Sequence, residues 1–516
     1  MLQDHDRYIF MKLLSGRCPM SPEPLSRPSR IALRALRPAP APVRPTPRAT
    51  RWRVTGPADH PLVRHLRRQP YPAAGPEADV LVLGGRWPAG GAGVLLDAYQ
   101  RAAGRQLTLV HDGAGGGSLL RGLGAGDGRP VGTVALGDPT PAALRRAAGL
   151  LAAPSAADEL TVAADGTVHT LGWRAAPLPG RAPRFAGATV LVTGGLGGLG
   201  SRLAVALAAA GAVPVLLDVR TPDDAPPDVR RMLTLLRRRC PRARLLTLDL
   251  TDPAAARAAL AGLRPTAIVH CAGRIAGGTG VRLGPAEVDA LVAAKVATLE
   301  TVLATVRAKR LRAVLTFGSL TAHGAHPGLA GYALANELLH RATARYAATH
   351  PGVRCCTAEW SLWSGAGMAR QVARVAARHL GMVPVPVATG VAAATRLLAA
   401  LVDAPPDEDL PDSLLVCSER PGTQGAWSGR PEGVPGVDAA LVVPAGGDLD
   451  MAMRAVAEAA AGGAALIPDG TAGPGAPLLV RATVTGDGVD CVVRSGADPD
   501  GPALRSSRYR LLPAGT

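Results

Sequence analysis

One stretch constrains this chain more than any other. Residues 188–220 read ATVLVTGGLGGLGSRLAVALAAAGAVPVLLDVR. A β-branched and aliphatic run, Thr189 to Val192, leads into the turn Gly194-Gly195-Leu196-Gly197-Gly198-Leu199-Gly200. An alanine-rich helical stretch, Ser201 to Ala210, follows, and a second apolar run, Val213 to Leu217, ends at Asp218. Strand, turn, helix and strand in that order make the first βαβ unit of a dinucleotide-binding sheet. Absent side chains let the backbone approach a pyrophosphate, and the helix N-terminus offers N–H groups and a positive dipole end. A glycine-rich turn alone is a weak signal, but here strand and helix flank it on the correct sides.

At 516 residues the chain has room for about two to four domains. Its formal charge of +17 looks like a nucleic-acid signal. The distribution argues otherwise, because the first seventy residues hold an excess of about ten basic groups. They show neither aromatic–basic interleaving nor zinc spacing, so no nucleic-acid partner is expected. The seven cysteines form no CxxC or Cys/His ligand pattern, which points to thiols in a reducing cytoplasm and to no metal site. No apolar run approaches a membrane span and no signal peptide is visible, so a cytoplasmic protein is expected.

Four regions are expected. Residues 1–50, rich in Arg and Pro, bury little and are expected to be disordered. Residues 51–182 read as a small α/β unit of structural purpose, since GGRWPAGGAG after its strand VLVLG lacks GxGxxG spacing. Within it, Asp165-Gly166 between alternating apolar positions predicts a hairpin over 161–173. Residues 183–420 continue the alternation of the glycine-turn region, with strands at 245–250, 267–270, 313–317 and 354–360 and helices at 286–306 and 332–349. That pattern predicts a doubly wound parallel Rossmann sheet. Residues 421–516 predict a small α+β piece, with a helix over 449–461 and two strands from 478 onward. Asp412-Ser413-Leu414 has the look of a phosphopantetheine attachment site, but LLVCSERPG after it predicts strand and loop instead of the required helix.

Ser319 lies just past the 313–317 strand, Tyr332 opens the next helix with Asn336 one turn on, and Lys295 lies on the preceding helix. Ligands of a doubly wound sheet sit at the carboxyl ends of its strands, so Ser319 and Tyr332 can face a nicotinamide bound over the glycine turn. Hydride transfer to a carbonyl carbon requires a proton at the oxygen. A Tyr hydroxyl whose pKa is lowered by a nearby ammonium can give it, and a Ser hydroxyl can hold the developing alkoxide.

These residues resemble the ketoreductase domain of modular type I polyketide synthases, within the short-chain dehydrogenase/reductase superfamily. TVLVTGGLGGLG resembles its glycine turn and IVHCAG its fourth-strand motif. Lys295 to Ser319 spans 24 residues, Ser319 to Tyr332 spans 13, and YALAN (Tyr332 to Asn336) fits the family's YxxxN where ordinary members have YxxxK. EWSLWSGAGMA resembles the segment entering the substrate lid, and SLLRGLGAGDGRPVG and DELTVAADGTVHTLGW the structural subdomain, truncated and Rossmann-like. The resemblance covers about residues 75 to 420 and implies an NADPH-dependent reduction of a β-ketoacyl thioester carried by an acyl carrier protein, beside other synthase domains.

By resemblance Tyr332 is the proton donor, Ser319 orients the carbonyl, and Lys295 and Asn336 complete a tetrad and a proton relay. The turn Gly194 to Leu199 lines the pyrophosphate, Asp249 and Leu250 flank the adenine, and Ala272 and Gly273 the adjoining ribose. Departures from the family are specific. Asp218-Val219-Arg220 stands where Ser-Arg usually holds the 2′-phosphate, so Asp218 leaves NADH as the alternative cofactor while Arg220 can serve NADPH. Gly318 replaces the first of a usual serine pair, and the markers of product configuration are missing around Arg274 and Gly324. A non-reducing docking or epimerising module and a free-standing dehydrogenase of small alcohols are the alternatives. The C-terminal piece faintly resembles the start of a dehydratase hot-dog fold, but no His follows His379 to serve it.

Overall fold

The computed structural model describes residues 30–40, 51–68, 77–151, 159–176, 183–275, 283–306, 308–324, 326, 328–368, 384–403 and 411–419, and five strands beyond 438. Two α/β units share one sheet. The first comprises β2 (Arg51–Thr55), β3 (Glu77–Leu83), β4 (Leu107–His111), β5 (Val131–Leu136), β6 (Leu160–Val162) and β7 (Val168–Ala176). Its helices are α1 (Pro61–Arg67), α2 (Gly91–Ala102), α3 (Gly117–Asp127) and α4 (Pro141–Ala148). The second unit runs β8 (Thr189–Thr193), α5 (Gly200–Ala209), β9 (Val213–Asp218), α6 (Pro227–Arg239), β10 (Arg244–Thr247), α7 (Pro253–Leu260) and β11 (Ala267–His270). It continues with α8 (Pro285–Val292), a π-helical turn at Ala293–Ala297, α9 (Thr298–Thr305), β12 (Ala313–Ser319), α10 (Ala330–Thr349) and β13 (Arg354–Trp360). A short strand pair, β14 (Trp363–Ser364) and β15 (Val385–Pro386), precedes α11 (Val387–Asp403) and β16 (Ser413–Glu419).

Strand order in the second unit is β10-β9-β8-β11-β12-β13-β16, all parallel. The order reverses at β8, and the crevice such a reversal leaves is where a doubly wound sheet takes its ligand. The first unit runs β6-β5-β4-β3-β2 in plain sequence order, with β7 antiparallel to β6 across the expected Asp165-Gly166 turn. It has no reversal and therefore no such crevice. Ser413 begins a strand, as LLVCSERPG predicted.

The expectation of disorder over 1–50 is corrected for β1 (Arg30–Pro40). This strand joins the units, antiparallel to β16 on one side and β7 on the other. Leu33 and Ala35 alternate onto the core side and are buried. Composition concealed them, because Arg and Pro occupy the positions around them and a strand's inward face needs only every second residue. Beyond β16, the described residues form an antiparallel five-stranded sheet, 439–443, 466–469, 478–485, 488–495 and 505–511. The helix expected over 449–461 lies outside the described residues.

Apolar packing crosses between the units. Leu334 and Leu338 of α10 share one buried cluster with Leu119 and Leu120 of α3 and Leu191 of β8. Each such leucine contributes roughly 2 kcal/mol on burial, so α10 is held by both units. Among the described residues no helix is long and apolar enough to cross a membrane.

Candidate active site

The glycine turn is drawn tightly against the end of β11. Gly194 has φ +65°, and a Cβ there would lie 2.9 Å from the Cys271 carbonyl and the Ala272 nitrogen. A Cβ on Gly200 would come within 2.3 Å of the Gly194 oxygen. Leu196 N–H donates to Asp218 Oδ2 at 2.8 Å, Gly195 N–H to the Leu217 carbonyl at 3.1 Å, and Gly197 N–H to the Gly194 carbonyl at 2.8 Å. Gly198 and Leu199 complete the turn beside Gly367, whose nitrogen would lie 3.0 Å from a Cβ on Gly198. No side chain caps α5. Its terminal N–H groups and dipole are thus left for an anion, and the bare turn is a cradle that fits a pyrophosphate.

Asp218 is buried with both oxygens engaged. Oδ1 accepts from the N–H of Arg220 and from its Nε, each at 3.1 Å, and Oδ2 accepts from an Arg220 terminal nitrogen at 3.3 Å. Asp249 is exposed, and the Thr251 hydroxyl and N–H, at 2.7 and 2.8 Å, hold its carboxyl below the usual range. Leu250 beside it is buried. Ala272 N–H donates to Thr193 Oγ1 at 3.2 Å, and Gly273 lies against Lys295, whose Nζ would be 3.2 Å from a Cβ there.

Ser319 ends β12, Tyr332 lies in the first turn of α10, and Asn336 follows one turn later. Lys295 sits inside the π-helical turn, buried, with Nζ donating to the Phe317 carbonyl at 2.9 Å and lying 6.0 Å from the centre of the Tyr332 ring. Ser319 Oγ accepts from the Thr321 N–H and hydroxyl at 3.3 and 3.1 Å. Asn336 Nδ2 donates to the Tyr332 carbonyl at 2.7 Å, leaving Oδ1 buried without a partner. The structure therefore gathers all four residues at the carboxyl ends of β11 and β12, next to the glycine turn.

Two features were not anticipated. Burial raises the Tyr332 pKa, Asn336 and Ser319 lower it, and Glu359 raises it again, for a net upward shift. The expected lowering by Lys295 is thus corrected: desolvation outweighs the hydrogen bonds to the phenol. Burial also brings Lys295 down to about 8, against the pull of Cys271 and Glu359.

The second is a chain of hydrogen bonds through Thr193 and His270. Burial and the Lys295 charge hold His270 at about 3, so its ring is neutral. Its Nε2 lies 2.8 Å from the Lys295 carbonyl and its Nδ1 2.8 Å from Thr193 Oγ1. A carbonyl only accepts, which assigns the proton to Nε2 and makes Nδ1 the acceptor of the Thr193 hydroxyl. The Thr193 oxygen in turn takes the Ala272 N–H. The chain ties the end of β8 to the turn that presents Lys295. A buried His at a strand end was its only trace in the sequence.

Across the units, Glu337, next to Asn336, caps α3. Its carboxylate accepts from Gly116 N at 3.1 Å, Ser118 N at 2.9 Å and Ser118 Oγ at 2.6 Å. Arg341 bridges it, at 3.1 Å, to Glu159 at 2.9 Å, and Glu159 also meets His111 at 3.2 Å and Arg121 at 3.5 Å. Ligand atoms of His111, Glu159 and Glu337 lie within 4.8 Å of one another, a spacing a metal can use. Arg121 on one Glu159 oxygen, and Arg341 on the other and on Glu337, make it an ion-pair network instead.

Residues 188–365 match the family model described as KR domain. The chain is 35% identical over 255 residues to erythronolide synthase EryA3 of Saccharopolyspora erythraea, covering 47% of this chain and 8% of that protein. It is 30% identical over 239 residues to pikromycin polyketide synthase component PikAIII of Streptomyces venezuelae, covering 45% of this chain and 15% of that one. The chain thus spans a small part of these relatives. Among solved structures, the ketoreductase from the first module of phoslactomycin biosynthesis in Streptomyces sp. HK803 superposes with a TM-score of 0.60 at 24% identity, over 75% of this chain and 93% of that one. An A-type ketoreductase from a modular polyketide synthase gives 0.58 at 23%, over 76% and 93%. At such identities these two structures speak for the fold.

Proposed function

We propose that the ketoreductase domain carried by residues 188–365 reduces a β-ketoacyl thioester to a β-hydroxyacyl thioester with NADPH. The observation that carries this reading is the convergence of Ser319, Tyr332, Lys295 and Asn336 at the carboxyl ends of β11 and β12, beside the bare glycine turn. A nicotinamide nucleotide, when bound, supplies the hydride. Gly194, Gly195, Leu196, Gly197, Gly198 and Leu199 hold its pyrophosphate, Asp249 and Leu250 its adenine, and Ala272 and Gly273 its ribose.

The chain's own residues do the rest. Ser319 Oγ donates to the substrate carbonyl and holds it in line with Tyr332. The Tyr332 hydroxyl delivers its proton to that oxygen as negative charge develops. Its raised pKa keeps the proton in place until then. The Lys295 ammonium stabilises the phenolate left behind, and Asn336 keeps the Tyr332 backbone and ring in register. On the adenosine side, Arg220 neutralises Asp218, the group that would repel a 2′-phosphate, and this supports NADPH over NADH. The substrate is borne by an acyl carrier protein, and other polyketide synthase domains are the partners.

The test is loss of nicotinamide absorbance with a β-ketoacyl thioester surrogate, NADPH and NADH side by side. Oxidation of NADPH that disappears in Tyr332→Phe is expected. Nucleotide binding without oxidation of any surrogate, or with the acyl chain only epimerised, would contradict the reading and favour a non-reducing module.

A further inference from the structure

Behind Ser319 lies a buried charge that the reduction as described does not use. Gly318 on β12 pairs with Glu359 on the neighbouring strand β13. Glu359 is fully buried, and its Oε2 has no hydrogen-bond partner. A Cβ at position 318 would lie 2.3 Å from that oxygen. Glycine at 318 is therefore what makes room for the carboxylate, which explains the departure from the usual serine pair. The other oxygen, Oε1, lies 3.3 Å from His323 Nε2 and 3.8 Å from His340 Nδ1.

The two histidines differ. Burial, with the charges of His323 and Arg341, pushes His340 down to about 3, so it stays neutral and cannot balance the carboxylate. His323 keeps 15% of its side chain exposed and follows the short turn that leaves Ser319. It connects the buried oxygen with solvent. Lys295 of the π-helical turn donates from Nζ to the carbonyl of Phe317 at 2.9 Å, one residue before the Gly318 that faces Glu359, and the centre of the Tyr332 ring lies 6.0 Å from that Nζ. The Glu359 charge bears on both, and on Cys356 of its own strand. His326, next along the segment that leaves β12, feels His323.

We propose that Glu359, paired with His323, is a positioning residue for the reduction: its buried negative charge holds Tyr332 as the proton-bearing phenol and Lys295 as the ammonium. His323 is its solvent-facing partner, 3.3 Å from Oε1. The signs follow from Coulomb's law. An anion beside a phenol opposes its ionisation, and beside an amine favours the cation. A tyrosinate is what the reverse oxidation needs, so the pair biases the site toward reduction. The inference rests on the reductase reading above for its purpose and on the charge cluster alone for its existence.

Tyr332 ionisation is read directly, without turnover, as the tyrosinate absorbance difference between each protein and its Tyr332→Phe counterpart. In Glu359→Gln the tyrosinate signal is expected about one pH unit lower, a tenfold change in the proton concentration required. The high-pH limb of reductive kcat/KM moves the same way while KM for NADPH holds. His323→Gln, which leaves the buried carboxylate in place, keeps both the tyrosinate titration and the high-pH limb where they are in the wild type. Should Glu359→Gln fail to fold, Gly318→Ser combined with Glu359→Ala fills the vacated space, and the same shift is expected. A tyrosinate titration unmoved in folded Glu359 variants overturns the proposal. A wild-type protein that reduces no surrogate but shows the titration shift overturns the reductase reading and leaves the charge coupling standing.

Discussion

The two α/β units use the same construction and differ at the loop after one strand. In the second unit the loop after β8 is a bare glycine turn, stripped of Cβ atoms and set where the strand order reverses. In the first, the loop after β3 carries Trp87. Its ring lies where a Cβ on Gly91 or Gly116 would come within 2.7 and 2.8 Å. The backbone N–H of Gly85, the kind of group that receives a phosphate, is taken by the Asp112 carboxylate, which also faces His60 at 3.4 Å. Indole and carboxylate thus occupy the place that the second unit leaves bare and that we propose for a nucleotide. A parallel sheet with covering helices carries no function by itself, and the loops at the strand ends decide.

The sharpest break between the units comes from the tetrad. Tyr332→Phe is expected to lower reductive turnover by about 10²- to 10⁴-fold, the usual worth of a positioned general acid, with nucleotide affinity unchanged. Steady-state kinetics beside a binding titration checks both halves.

Next is the link between the units. Glu337→Gln removes the negative charge from the α3 cap and from the pair with Arg341, and a loss of about 3 kcal/mol in unfolding free energy is expected from breaking a buried pair. The Arg341 charge holds Glu337 below its usual pKa, and His111 and Arg341 hold Glu159 well below. Their stabilisation is therefore complete above the unfolded carboxylate value of about 4.3 and is lost as pH falls through the lower folded values. Denaturant titrations across that range should show the acid loss blunted in Glu337→Gln.

Removing the plug of the first unit costs less. Trp87→Ala should lower stability by about 2 kcal/mol, since the ring is only half-buried, and leave nucleotide affinity untouched. Thermal denaturation and a binding titration separate the two effects. Smallest is Gly194→Val, where a β-branched residue at φ +65° and its contacts with β11 should weaken nucleotide binding by at least about tenfold.

Much of the second unit's fold was legible, and its candidate residues could be named, because they lie in local patterns. The glycine turn, the strand-end serine and the Tyr-to-Asn helical step sit within short windows, and the sheet topology brings those windows together. β1 was hidden because its partners, β7 and β16, lie far along the chain, and an Arg- and Pro-rich sequence conceals two inward residues, Leu33 and Ala35. The helical pattern over 286–306 did not reveal the π-helical turn that presents Lys295, since one widened turn leaves apolar periodicity nearly intact. The direction of the Tyr332 shift depends on burial, which no spacing of residues conveys. Glu359 did leave a trace, as a lone acid in the apolar strand RCCTAEW.

The claim that one unit takes the nucleotide and the other is closed to it is tested most directly by counting NADPH sites at equilibrium. Fluorescence titrations of the wild type, Gly194→Val and Trp87→Ala suffice. One site per chain is predicted, weakened in Gly194→Val and intact in Trp87→Ala. Two sites, or affinity lost with Trp87 and kept with Gly194→Val, would contradict the account.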